Sequence, residues 1–204
     1  MECAVEPEGL FGQANRRYGQ LRASSGTEIG PFPLGVAGDE SAQLSYGRLR
    51  RRVLWRMPSG LYLLGSRAGE RRNMMTLNWA MQVCKEPKLV AVSVESDAFT
   101  CELVQQAGAF AVSILERSQS PVVRKFVKPA EYADGKLNGF AVFEAQSGCP
   151  VLESAVAYLD CHVRHSLVLG SHTLFVGEIV NAGELSSPDS PVLRMEDTKM
   201  SYGG

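Results

Sequence analysis

The segment Arg72-Asn73-Met74-Met75-Thr76-Leu77-Asn78-Trp79 breaks an otherwise apolar stretch with side-chain amides, a hydroxyl and an indole. Within a few residues it offers hydrogen-bond donors and acceptors beside large apolar groups. An extended segment of this kind can wall a slot for a flat ring, with apolar contact to the ring faces and hydrogen bonds along its polar edge. The same residues would equally serve a capped turn around a buried Trp. A second constellation, Glu95-Ser96-Asp97-Ala98-Phe99-Thr100, places hydroxyls and free backbone N–H groups at a helix start, the geometry that holds a phosphate. Ordinary N-capping by Ser96 or Asp97 is its other use, and Glu95 and Asp97 oppose an anion unless they point away.

Other chemistries find no footing. No G-x-G-x-x-G follows a strand, and neither a G-x-x-x-x-G-K-[ST] loop nor a G-x-S-x-G elbow is present. His162 and His165 stand three apart in a predicted strand, which sends them to opposite faces and excludes a shared metal. The five cysteines, Cys3, Cys84, Cys101, Cys149 and Cys161, are scattered and odd in number, so neither a disulfide framework nor a zinc cage is expected. A net charge of −1 gives no global attraction to nucleic acid, and no apolar run approaches a membrane span. The N-terminus lacks the basic and apolar regions of a secretory signal, so a cytoplasmic protein is expected.

The elements that must position these residues read mostly as strands. At 204 residues the chain has room for one domain with a sizeable core. Residues 1–42 are rich in Gly, Pro and Ser and read as an irregular extension before a domain at 43–204. From Tyr46, Leu49, Val53, Leu54 and Met57 fall at helical spacing opposite an arginine-rich side (Arg48, Arg50, Arg51, Arg52, Arg56), until Pro58-Ser59-Gly60 stops the helix. That side is either a nucleotide-phosphate site or a solvated face. Strands are expected over Leu61–Ser66, Arg71–Thr76, Lys88–Val94, Phe110–Leu115, Ala157–Val168 and Thr173–Val180, the last two joined at Leu169-Gly170-Ser171-His172. A helix from Ser96 or Asp97 to Gly108 and a short one over Ser120–Phe126 lie between them. The strands are too closely spaced for βαβ units, so a barrel with small helices on its rim fits best.

In their order along the chain these pieces resemble the flavin reductase-like, FMN-binding split-barrel family. The matching landmarks are Met57-Pro58-Ser59-Gly60-Leu61-Tyr62, Met75-Thr76-Leu77-Asn78-Trp79, Val92-Ser93-Val94 and Phe99-Thr100-Cys101-Glu102-Leu103. Gly148-Cys149-Pro150-Val151-Leu152-Glu153, Gly170-Ser171-His172-Thr173-Leu174-Phe175-Val176-Gly177-Glu178 and Tyr202 complete the set. The resemblance implies a mainly β, antiparallel split β-barrel of Greek-key type with small flanking helices. It implies that Asn73, Met75, Thr76, Asn78 and Trp79 line the flavin ring and ribityl chain. Cys84 stands where relatives often carry a serine near the ring, and Ser96 and Thr100 would hold the phosphate. His172 would act at the flavin or nicotinamide, and Tyr202 at the nicotinamide.

The activity so implied is NAD(P)H-dependent flavin reduction, a hydride passing from nicotinamide to FMN or FAD with NADH or NADPH as donor and no metal. Such a step needs stacked rings in a dry slot rather than an acid–base dyad. The resemblance further implies a homodimer and a monooxygenase component as consumer of the reduced flavin. An electron-transfer flavoprotein that keeps its FMN, and a flavin-binding module without turnover, remain open alternatives.

Overall fold

The computed structural model describes residues 40–202, and the expected irregular extension at 1–42 falls almost wholly outside them. Residues up to Arg51 and residues from Arg52 onward form separate units. Helix α1 (Glu40–Leu54) begins before the expected Tyr46, and its Leu49, Val53 and Leu54 are exposed. A turn then leads to Met57, itself exposed.

From there the chain is mainly β and antiparallel, with small helices, as the sequence led us to expect. Its strands are β1 (Tyr62–Ala68), β2 (Arg71–Leu77), β3 (Ala80–Cys84), β4 (Leu89–Glu95), β5 (Ala109–Ile114), β6 (Tyr132–Ala133), β7 (Lys136–Leu137), β8 (Phe140–Glu144), β9 (Pro150–Leu152), β10 (Ala157–Leu169) and β11 (His172–Glu184). Seven of them form one sheet in the order β2-β1-β5-β10-β11-β4-β3, and β6-β7-β8-β9 form a second. The larger sheet is not closed, since β2 and β3 remain its two edges. Helix α2 (Phe99–Ala107) joins β4 to β5 and ends on Gly108, whose φ of 63° supplies the left-handed residue that such a C-terminus requires. The expected helix over Ser120–Phe126 is a four-residue α3 (Ser120–Val123) between 3-10 turns.

Two hydrophobic clusters explain why β1 reads as an apolar run rather than an alternating one. Leu64 packs with Val92, Val104, Phe110 and Phe175 on one face. Its neighbour Leu63 packs with Met74, Phe126, Leu137 and Leu152 on the other, under the smaller sheet. A strand buried on both sides loses the polar half of its period. The sheets meet tightly at Gly65, where an added Cβ would stand 2.0 Å from the Pro150 carbonyl oxygen. β10 carries a register shift between Val163 and His165, so the spacing of His162 and His165 does not follow simple alternation. No group of His, Cys, Asp and Glu suited to a metal occurs among the described residues.

Candidate functional site

Two clefts open side by side where β2, β4, the start of α2 and the C-terminal segment converge. The smaller, about 460 Å³, runs from Asn73, Met75 and Thr76 to Ala98, Phe99 and Thr100, with Val127, Lys128 and Pro129 on its rim. The larger, about 740 Å³, extends past Trp79 to Met81, Ala91, Leu174 and the Pro58-Ser59-Gly60 stop. Asn78, Ser93, Met195, Met200 and Tyr202 line both, so the clefts share one wall.

The inner end of the smaller cleft is built around Asn73, which is 2% exposed. Its Nδ2–H donates to Thr100 Oγ1 at 2.8 Å, and its Oδ1 accepts the Ala130 N–H at 2.7 Å. One amide therefore ties β2 to the first turn of α2 and to the loop that carries Lys128. Because the Thr100 oxygen accepts from Asn73, its own proton is left to donate. The helix N-terminus is Ala98, with no side-chain cap, rather than the expected Ser96 or Asp97. Ser96 instead pairs its hydroxyl with Thr173 Oγ1 at 3.0 Å. An N-terminus without a side-chain cap, a free hydroxyl proton and one lysine are groups that can together hold an anion. Glu95 and Asp97 line the same cleft and oppose them.

Thr76 also lines this cleft, but its hydroxyl donates to the Val123 carbonyl at 2.6 Å. Toward a ligand it can therefore only accept, as a ring N–H would require.

At the shared wall four side chains form a hydrogen-bonded chain. Tyr202 Oη donates to Glu95 Oε1 at 2.6 Å. That fixes the next bond, His172 Nε2 to Tyr202 Oη at 3.0 Å, with the imidazole as donor. His172 Nδ1 then accepts from Ser171 Oγ at 2.9 Å, a tautomer assigned from the network. Burial, then the bond to Glu95, then the charges of Glu95 and Asp97 push the Tyr202 phenol well above its ordinary pKa, so it stays neutral. Trp79 packs against both rings, its centroid 4.8 Å from that of His172 and 5.3 Å from that of Tyr202.

Of the residues singled out from sequence, Asn73, Met75, Thr76, Asn78 and Thr100 line the smaller cleft. Trp79 lines the larger, and Tyr202 both. His172 touches Trp79 and Tyr202 but is not among the residues lining either cleft. Ser96 is likewise outside the linings, and Cys84 closes β3 with its thiol 3.5 Å from the Glu86 carbonyl. Lys128 and Glu95 line the smaller cleft without a sequence signal that marks them as site residues. Lys128 sits in a loop without periodicity, and Glu95 reads in sequence only as an obstacle to phosphate.

Comparison with known proteins places this geometry among others. The flavin reductase like domain family matches residues 54–203. A putative diflavin flavoprotein of Nostoc sp. is 28% identical over 174 residues, which is 84% of this chain. The chain spans only 30% of that relative's length. An NADH-dependent FMN reductase of Streptomyces nodosus subsp. asukaensis is 29% identical over 147 residues, 70% of this chain and 78% of that one. Among solved structures, the NADH:FAD oxidoreductase of Streptomyces globisporus aligns with a TM-score of 0.65 at 27% identity, covering 78% of this chain and 92% of the other. The fold is thus split-barrel-like.

Proposed function

Because the chain belongs to the flavin reductase-like domain family, we propose that it is an NAD(P)H-dependent flavin reductase, passing a hydride from nicotinamide to FMN or FAD. The observation that carries this reading is the pair of clefts with one shared wall, the smaller of which ends in an anion cradle. Two flat rings that must meet need adjoining slots, and a flavin phosphate needs donors at one end.

The described residues fit a flavin. Thr100, Lys128 and the first N–H groups of α2 would hold the phosphate, with Asn73 orienting Thr100 rather than touching the ligand. Met75, Thr76, Asn78 and Trp79 would wall the ring, and Tyr202 would flank the nicotinamide where the two clefts adjoin. Bound flavin supplies the two-electron acceptor. The protein supplies orientation and exclusion of water, and no proton transfer to a side chain is required. Met195 and Met200 contribute apolar cover that keeps water off the shared wall.

The proposal extends to a cytoplasmic homodimer that supplies reduced flavin to a monooxygenase component. No described helix is long and apolar enough to cross a membrane. A second reading, retained FMN that serves another acceptor, is favoured by the likeness to the much longer diflavin flavoproteins. The test is nicotinamide oxidation by the purified chain with FMN, FAD or riboflavin in air. Turnover only with added flavin supports the reductase. Flavin that survives gel filtration supports the second reading, and flavin binding without oxidation of either nucleotide overturns both.

A further inference from the structure

The geometry points to Glu95 and His172 as a clamp that positions the Tyr202 ring at the seam between the two clefts, a role that rests on the flavin reductase reading. Glu95 is the last residue of β4 and His172 the first of β11, and the two are directly paired across the strands. Directly opposite residues on antiparallel strands project to the same side of the sheet. The Tyr202 phenol, from the distant C-terminal segment, enters between them and bonds to both, donating to Glu95 and accepting from His172.

Three remote pieces of chain therefore meet on one oxygen. The strand ends that hold the clamp are fixed by backbone, since the Ser96 N–H donates to the Ser171 carbonyl at 2.9 Å. The C-terminal segment is anchored upstream, where Met195 N–H donates to the Ser59 carbonyl at 2.9 Å. Beyond that anchor Met200 is held by its N–H to Thr198 Oγ1 at 3.0 Å and by packing on the core, which leaves the two phenol bonds and the Trp79 contact to hold the Tyr202 ring itself. Tyr202 is 41% exposed, so without the two bonds its ring keeps only the edge contact with Trp79 against turning into solvent. His172 then acts through Tyr202 and Trp79 as a positioning residue.

The test uses the full chain carrying Trp55→Phe, so that Trp79 is the remaining tryptophan. Tyr202→Phe, Glu95→Ala, Glu95→Gln and the double variant Glu95→Ala/Tyr202→Phe are compared. Trp79 emission is read without flavin, and kcat/KM for NADH and the flavin Kd are read with it. Tyr202→Phe and Glu95→Ala should each change Trp79 emission and lower kcat/KM by at least about tenfold, as the loss of a charge-assisted bond predicts. The flavin Kd should move by less than about threefold. The double variant should lose no more than either single one, because both break the same chain. Glu95→Gln keeps an acceptor for the phenol and should retain most of the parent emission. Unchanged emission in both single variants, or losses that multiply in the double variant, overturns the clamp. An unsubstituted protein without turnover would count against the reductase reading, while the emission comparison still decides the clamp.

Discussion

Replacing Asn73 with aspartate tests the anion cradle where it is assembled. In the native protein Nδ2–H donates to Thr100 Oγ1, leaving the threonine proton for a ligand. An ionised aspartate has no proton to give, so the Thr100 hydroxyl turns to donate into it. The Ala130 N–H keeps its acceptor, and the Lys128 loop stays tied to β2. The cleft therefore keeps its shape, loses one donor and gains a negative charge beside the lost donor. A hydrogen bond to a charged group contributes about 1.5–3 kcal/mol, or roughly 13- to 150-fold in Kd. FMN affinity should fall by at least that range, since repulsion adds to it. Riboflavin carries no phosphate and should weaken by less than about threefold. Titration by quenching of flavin fluorescence reads both constants, and the urea midpoint reports separately the cost of burying the carboxylate. Equal weakening of FMN and riboflavin would refute the assignment of Thr100 to the phosphate.

Gly65→Ala should cost at least about 2 kcal/mol in urea unfolding, because the new Cβ meets the Pro150 backbone and forces β1 from β9. Burial raises the Cys161 thiol to about 12 from an ordinary value of 9.0, and raises Cys101 and Cys149 as well. A folded state that holds its protons more tightly than the unfolded one is fully favoured below about pH 9. Unfolding free energy should therefore fall as pH climbs from about 9 toward 12, by up to about 1.4 kcal/mol per pH unit for Cys161 alone. Urea midpoints measured at stepped pH check this, and a flat profile counts against it. Cys84→Ser should leave flavin affinity within about twofold, because its thiol faces the Glu86 carbonyl and not a cleft lining. A larger loss would put Cys84 back beside the ring.

The large antiparallel elements were legible because their signals are local. The valine-rich run became β4, the paired apolar runs around Gly170 became β10 and β11, and α2 ended at its glycine. The small sheet escaped notice because β6 and β7 have two residues each, too few to show a period, although Asp134-Gly135 and Asn138-Gly139 mark its turns with positive φ. β3 was missed because an edge strand with exposed Met81 and Val83 lacks a polar outer side. At the site, residue types were readable but their partners were not. That Asn73 spends its amide on Thr100 and Ala130, and Thr76 its proton on Val123, depends on contacts far along the chain. Glu95 gained a role only when folding brought Tyr202 to it.

The strand order also sets a sequence in time. The pairs β1–β2 and β3–β4 come early in the chain, yet they lie at opposite ends of the large sheet and are joined only through β5, β10 and β11. During synthesis β1 and β2 can be covered by α2 and β5 once residue 114 has emerged, but β4 must wait for its partner β11, which pairs with it over His172–Glu178. Tyr202 lies later still, so the wall between the clefts forms after the large sheet. Nascent chain should therefore lack the seam between its two clefts until translation has passed that tyrosine.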